Sequence, residues 1–424
     1  MGTFDNLLRP GRIGRMELRN RIVMAPMGSN FAESDGSCGE RIQAYYEARA
    51  EGGAGLLIMG VCAIAYPAGT AEPFQVGVSD ERFVPGLTAL AERVHRHGAK
   101  VAMQLQHAGK TSVRDMAEGR ELWVPSMPPP LKTDMMQTLT REELGAFISS
   151  SKSREGPGIR IRVMDKADIA QMAEWFAAAA ERARRAGFDG VELHAAHSYI
   201  IAGFLSPYYN KRDDEYGGPL ENRARMLLEV IAAVRARVGA DFPVWLRLDA
   251  EEMRTPGGIT LEDAKAVAKM AEAAGVDAVS VSAYANTSTG VAFTEAPLVQ
   301  QKAGFLPWTA EIKAGLKIPV IAVGRLEPEV ADTAIGAGQC DFVAMARKLL
   351  ADPDLPRKLA ENRPEDIRPC IYCYACVSQI FINQRVKCAV NPLTGHEFET
   401  RLNPVTAPAH FVVVGGGPAG LEAA

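Results

Sequence analysis

Across 424 residues no apolar run approaches the roughly 20 residues that a membrane-spanning helix requires. The opening stretch, Met1 to Arg21, lacks the apolar core of a secretory leader. Neither sign of charge dominates: 47 Lys and Arg face 51 Asp and Glu, so no electrostatic feature calls for nucleic acid or an anionic membrane. Cysteine is sparse over most of the chain. Of seven, Cys38, Cys62 and Cys340 are scattered, and the rest fall between positions 370 and 388. An odd total without a leader is no disulfide framework. These absences leave a soluble, cytoplasmic protein as the expectation. Its composition, 47% hydrophobic and 23% charged, is that of an ordered globular chain with material for a large core.

What is present is a rhythm. Apolar runs too short for helices recur between helix-length amphipathic stretches: Arg21–Met24, Gly55–Met59, Val101–Leu105, Gly190–Leu193, Val244–Leu246, Ala278–Val281, Val320–Val323 and Phe342–Met345. Runs of this kind suit strands buried on both faces, as in a parallel α/β sheet. Before several of them a helix ends at Gly and a polar residue follows, as in Ala186-Gly187-Phe188-Asp189 and Ala274-Gly275-Val276-Asp277. Glycine there takes the left-handed conformation that stops a helix. Eight units over about 330 residues fit a closed (β/α)8 TIM barrel better than an open sheet. The expected division is a barrel over 1–362, a cysteine segment over 363–400, and a linker with the first strand of a further domain over 401–424.

Between the third and fourth strands lies the longest interruption, with Pro125, Pro128-Pro129-Pro130 and a basic stretch from Lys152 to Arg162. It follows a strand, so in a barrel it lies at the C-terminal face, where active sites form. It reads equally as a substrate-contacting lid or as a solvated insertion.

Three motifs carry chemistry. His194-Ala195-Ala196-His197-Ser198-Tyr199 follows the fourth strand directly. Two imidazole N–H groups can hold a carbonyl oxygen as charge develops on it, and a phenol beside them can deliver a proton. The plainer alternative is a pair of core histidines and a packed tyrosine. Cys370, Cys373, Cys376 and Cys388 bring four thiols into one short segment, suited to a [4Fe–4S] cluster or to structural zinc. Three cysteines at two-residue gaps with a remote fourth favour the cluster. Finally, Val412-Val413-Val414-Gly415-Gly416-Gly417-Pro418-Ala419-Gly420 reads as a strand from His410 to Val414 running into a G-x-G-x-x-G turn. A complete dinucleotide site needs about 30 residues, so a working one is not expected here.

With these motifs stand Phe204-Leu205-Ser206-Pro207, Tyr216-Gly217-Gly218, Glu221-Asn222-Arg223, Asn20-Arg21-Ile22-Val23-Met24-Ala25-Pro26-Met27 and Gln104-Leu105-Gln106-His107-Ala108-Gly109. In this order they closely resemble the Old Yellow Enzyme family. The cysteine segment resembles the long iron–sulfur branch of that family, the 2-enoate reductase, 2,4-dienoyl-CoA reductase and trimethylamine dehydrogenase type. The resemblance implies a barrel that binds FMN. Ala25, Pro26, Met27, Gly28 and Val61 would line the flavin, Gln104 would bond its pyrimidine edge, and Arg247 would lie near N1. Gly324, Arg325, Ala346 and Arg347 would hold the phosphate, although relatives usually carry Gly at the position of Ala346. It also implies a [4Fe–4S] cluster on the four cysteines and NAD(P)H as reductant, with FAD expected only in a longer form.

Three functions compete under that resemblance. The first is reduction of the C=C bond of an α,β-unsaturated carbonyl compound, whether enoate, enoyl-CoA or cyclic enone. There His194 and His197 would hold the carbonyl oxygen and Tyr199 would protonate the α-carbon. The second is amine dehydrogenation of the trimethylamine dehydrogenase type, which uses a cysteine after the proline motif and a tyrosine at the first histidine position. Gly28 and His194 depart from both. The third is a non-catalytic redox scaffold, which the complete His-His-Tyr set disfavours. A small-molecule substrate is expected, together with a homo-oligomer. Asn30, where several relatives place a substrate-contacting tyrosine, points to a reshaped pocket.

Overall fold

The structure is a computed structural model. It describes residues 4–129, 141–142, 159–285, 301–399, 406–407 and 409–423. Strands β1 (Gly11–Ile13) and β2 (Met16–Leu18) form an antiparallel hairpin. There follow β3 (Ile22–Met24), β4 (Leu56–Ala63), β5 (Val76–Gly77), β6 (Lys100–Gln106), β7 (Glu121–Val124) and β8 (Arg160–Val163). The remaining strands are β9 (Gly190–Ala195), β10 (Val244–Met253), β11 (Val279–Ala285), β12 (Val320–Ala322) and β13 (Phe342–Met345). Strands β3, β4, β6, β9, β10, β11, β12 and β13 pair in parallel in that order. β13 then pairs back to β3, Val343 opposite Ile22 and Met345 opposite Met24, and the barrel closes. Each of the eight apolar runs falls on one of these strands.

Alternation within the strands sorts the side chains into two layers. Val23, Ile58, Ala102, Trp245, Ile321 and Phe342 pack inside the barrel. Ile13, Met16 and Leu18 of the hairpin belong to the same cluster, so the hairpin plugs one end. Ile22, Met24, Leu57, Met59, Val191 and Leu193 pack outward against the helices. Carried along the strands, the same inward rows bring Gln104, Glu192, His194, Arg247, Ser280 and Ser282 into the barrel.

The repeated Gly-x-Asp signature has a double function. Gly187 and Gly275 take positive φ, 86° and 92°, and end their helices. The aspartate two residues on then accepts a backbone N–H at the start of a neighbouring strand: Asp189 from Val101 at 2.9 Å and Asp277 from Val244 at 2.8 Å. Asp341 does the same for Val320 at 2.8 Å. These bonds satisfy donors that open a buried strand and would otherwise be stranded.

The long interruption supplies a separate parallel pair, β7 with β8. Of its basic stretch, Arg160 pairs with Glu121, and Arg162 pairs with Asp168 at 2.6 Å. These two arginines are thus neutralised within the protein rather than offered to an acidic substrate. Lys152 and Pro130 lie outside the described residues.

Beyond the barrel the chain passes through helix Ala375–Phe381 and folds back over the barrel. Val386 N donates to Ser29 O at 3.0 Å, and Asn391 Nδ2 donates to Leu350 O at 2.8 Å. The expected strand from His410 to Val414 is not formed. Phe411, Val412 and Val414 stand exposed, with no ladder partner among the described residues, and a strand is defined by such partners. Helix Pro418–Ala423 follows. No helix of the described residues is long and apolar enough to cross a membrane.

Candidate active site

At the C-terminal ends of the barrel strands one cavity is lined by Ala25, Pro26, Met27, Gly28, Val61, Gln104, His194, His197, Tyr199, Arg247, Gly324, Arg325, Ala346 and Arg347. These are all fourteen residues that the sequence assigns to catalysis or flavin binding. They come from seven separate stretches of chain, and the barrel alone brings them together.

The turn after β9 shapes the polar end. His197 and Ser198 take left-handed backbone conformations in succession, φ 57° and 60°, which non-glycine residues rarely adopt. Asp249 holds the turn by accepting the His197 backbone N–H at 2.7 Å. As a result the His194 ring lies 5.0 Å from that of His197 and 4.6 Å from that of Tyr199, centroid to centroid. His194 Nδ1 accepts the Ala196 N–H at 3.3 Å, so the ring carries its proton on Nε2. Burial, then His197 and Arg247, push the His194 pKa well below the usual imidazole value. Burial and Arg247 lower that of His197 to about 3. Both rings are therefore neutral at pH 7, and each is a hydrogen-bond donor rather than an acid. His197 Nε2 lies 2.7 Å from Ser282 Oγ, a hydroxyl that lines the same cavity.

Opposite them, Gln104 Nε2 donates to Glu192 at 2.6 Å and Arg247 Nε approaches the same carboxylate oxygen at 3.4 Å. Arg247 Nη2 is buried and has no hydrogen-bond partner among the described residues. A buried guanidinium donor left this way is costly unless something else accepts from it.

At another part of the wall, after β12 and β13, cations gather around Tyr372. Arg325 and Arg347 place their guanidinium carbons 4.3 and 5.1 Å from its ring centre, and Lys348 Nζ lies 5.5 Å away. Glu327 accepts from the Tyr372 hydroxyl at 2.9 Å and pairs with Lys348. Tyr372, Cys376, Val377, Ile380, Phe381 and Val386 thus complete the cavity from the cysteine segment.

All four cysteines of that segment line a second, small cavity with Arg347, Tyr372 and Tyr374. Tyr372 and Tyr374 both have positive φ, 54° and 64°, so the chain between the cysteines is tightly coiled. Among the described residues no three His, Cys, Asp or Glu side chains converge closely enough for a single metal ion. Arg347, Tyr372 and Cys376 line both cavities.

Sequence reasoning missed Glu72 and Ser282. Glu72 reaches in from the loop after β4, accepts the Asn30 N–H at 3.2 Å, and is raised by burial to a pKa of about 7. A Cβ added at Gly28 would lie 1.4 Å from its Oε1, so the carboxyl occupies the space that a side chain at position 28 would need. No local motif announces Glu72. Asn30 spends its side chain on structure, donating to Gln384 O at 3.0 Å and accepting from Phe74 N at 3.0 Å.

Comparison with known proteins gives a consistent set of matches. The family model described as NADH:flavin oxidoreductase / NADH oxidase matches residues 6–366. An NADH oxidase of Thermoanaerobacter brockii is 40% identical over 428 residues, covering 100% of this chain and 62% of that protein. A cinnamate reductase of Clostridium sporogenes is 34% identical, covering 99% and 62% respectively. Among solved structures, a 2-naphthoyl-CoA reductase superposes with a TM-score of 0.85 at 31% identity, over 99% of this chain and 62% of that one. The chain thus spans about three-fifths of the length of each of these relatives.

Proposed function

The chain belongs to the NADH:flavin oxidoreductase / NADH oxidase family, and from that premise we propose that it is an FMN-dependent ene-reductase. Its substrate would be an α,β-unsaturated carbonyl compound and its electrons would come from NAD(P)H. The observation that carries this reading is the meeting of two neutral imidazoles and a phenol in the cavity that also holds Gln104 and Arg247. Two relatives are named for reductions of compounds of related type, cinnamate and 2-naphthoyl-CoA.

The residues fit FMN. Arg247 Nη2, without a hydrogen-bond partner among the described residues, is a donor that an anionic ring edge would engage. Pro26, Met27 and Val61 give an apolar wall for a flat ring system, and Arg325, Arg347 and Lys348 form a cationic end for a phosphate. When bound, FMN supplies a hydride to the β-carbon of the substrate. His194 Nε2–H and an N–H of His197 would hold the carbonyl oxygen and stabilise charge developing there. Tyr199, beside His194, would donate its phenolic proton to the α-carbon.

The four cysteines would hold a [4Fe–4S] cluster. Three cysteines at two-residue gaps with a remote fourth, all four lining one small cavity, support a polynuclear centre over zinc. Amine dehydrogenation is the weaker reading. Gly28 offers no thiol for flavin attachment, and Glu72 fills the space beside it.

Stopped-flow reoxidation tests the proposal. Protein reduced with NADH is mixed with an enoate, an enoyl-CoA or a cyclic enone, and oxidised protein is mixed with trimethylamine. Fast reoxidation by one of the first three is the expected result. Flavin reduction by the amine, with no response to any unsaturated compound, would overturn it.

A further inference from the structure

We infer that Glu192 is a positioning residue of the flavin site, fixing which atoms Gln104 and Arg247 present to the pyrimidine edge of FMN and so setting the flavin's reduction potential. The inference rests on the flavin reading above.

Glu192 lies on β9 and is fully buried inside the barrel. Four donors converge on its two oxygens. Trp245 Nε1 and Ser280 Oγ reach Oε1 at 3.0 and 2.5 Å, while Gln104 Nε2 and Arg247 Nε reach Oε2 at 2.6 and 3.4 Å. Trp245 and Ser280 act on the first oxygen and fix the carboxylate from the floor of the barrel. The second oxygen then acts on the two residues that line the cavity.

The consequence for Gln104 concerns polarity. An amide has one donor end and one acceptor end. Because a carboxylate accepts, the Nε2 end is committed to Glu192, and the carbonyl Oε1 is left as the group available to a ligand. That end suits an N–H donor on the flavin pyrimidine ring. For Arg247 the consequence concerns both direction and charge. Its Nε is engaged, its Nη2 remains open towards a ligand, and the adjacent carboxylate offsets part of its positive field. Glu192 therefore controls one neutral contact, made in both redox states of the flavin, and one cationic field, which favours the reduced anion.

The variants separate these two effects. Glu192→Gln keeps the shape and removes the charge, and it lets the Gln104 amide turn over. Oxidised FMN should bind about tenfold more weakly. Reduced FMN should bind almost as before, because the unscreened Arg247 offsets the lost contact. A tenfold weakening confined to the oxidised form raises the two-electron midpoint potential by about 30 mV. Glu192→Asp keeps the charge but withdraws the carboxylate. It should weaken both forms and leave the potential in place. In a Gln104→Ala background, Glu192→Gln should weaken oxidised FMN by less than threefold, because the amide through which it acts is gone.

The measurements are FMN fluorescence quenching on deflavinated protein and a dye-coupled redox titration of the reloaded protein, with thermal unfolding to establish that each variant folds. An unchanged dissociation constant and potential in Glu192→Gln would overturn the inference. So would equal weakening of both redox forms in that variant, or full additivity with Gln104→Ala. If Glu192→Gln does not fold, wild-type FMN affinity in folded Glu192→Asp overturns it instead. Should the wild-type apoprotein bind no FMN at all, it is the flavin reading that fails, and the two failures remain distinct.

Discussion

The Tyr199 ring stands edge-on to the His194 ring, centroids 4.6 Å apart and planes at 83°. In this arrangement the phenol is oriented by the group proposed to bind the substrate oxygen, so proton delivery and oxygen binding share one scaffold. Tyr199→Phe keeps the packing and removes the proton. Reoxidation of reduced enzyme by an enone should slow by about 100-fold or more, the usual range for loss of a general acid. Reduction of the flavin by NADH should be nearly unchanged. Stopped-flow measurement of both half-reactions decides it, and equal slowing of the two contradicts the assigned role.

Glu72 gives a pH prediction. Burial raises its carboxyl pKa from 4.5 to about 7, so the folded protein holds this proton more tightly than the unfolded chain does. Between those values the folded state binds more protons, and the contribution of Glu72 to stability falls as pH rises through about 7. The corresponding penalty above pH 7 is about 3 kcal/mol. Glu72→Gln keeps an acceptor for the Asn30 N–H and removes the titration. It should match the wild type near pH 4.5 and be more stable at pH 8. Thermal unfolding across that range is the measurement, and a stability gap independent of pH would refute the assignment.

Cys376 lines both the flavin cavity and the cysteine cavity. Cys376→Ser should therefore have a double effect: loss of the broad iron–sulfur absorbance and of iron and sulfide, together with weaker retention of FMN. Cys373, which lines the cysteine cavity alone, is the control. Cys373→Ser should disturb the cluster with less effect on FMN. Metal analysis and flavin quantitation after gel filtration compare them. Full iron content in both variants would exclude these cysteines as cluster ligands.

The barrel was legible because each strand is a short apolar run, several of them preceded by a glycine helix stop and a polar residue as in Gly187-Phe188-Asp189 and Gly275-Val276-Asp277, and both parts of that signal have local causes. The cavity was legible where its chemistry sits in contiguous motifs, as in His194 to Tyr199. Glu72 was not, because what matters is its position across from Gly28, set by a loop with no periodicity. Glu192 carried a signal that went unused. It is a single carboxylate inside the apolar run Gly190–Leu193, two residues before His194 on the same inward row, and a charge so placed must be satisfied by partners. The strand expected from His410 to Val414 shows the opposite limit. Its apolar pattern is local, whereas a strand depends on a neighbour.

A buried ion pair joins the cysteine segment to the barrel. Arg49, fully buried on helix Glu40–Glu51, pairs with Glu397 and donates to Leu349 O at 3.1 Å and Tyr45 O at 2.9 Å. Its guanidinium also lies 3.9 Å from the centre of the Tyr45 ring. Glu397 in turn accepts the Gly395 N–H at 2.8 Å, so removing it frees a loop as well as a charge. Glu397→Ala leaves the Arg49 charge buried without its counter-ion, which costs about 3–5 kcal/mol when such a pair is broken. Arg49→Met with Glu397→Leu removes both charges and fills the space, and should recover most of the loss. Denaturant unfolding of the three proteins tests this. A single variant as stable as the wild type would show that the pair does not hold the segment, whereas loss of iron from Glu397→Ala at temperatures where the barrel helices persist would show that it does.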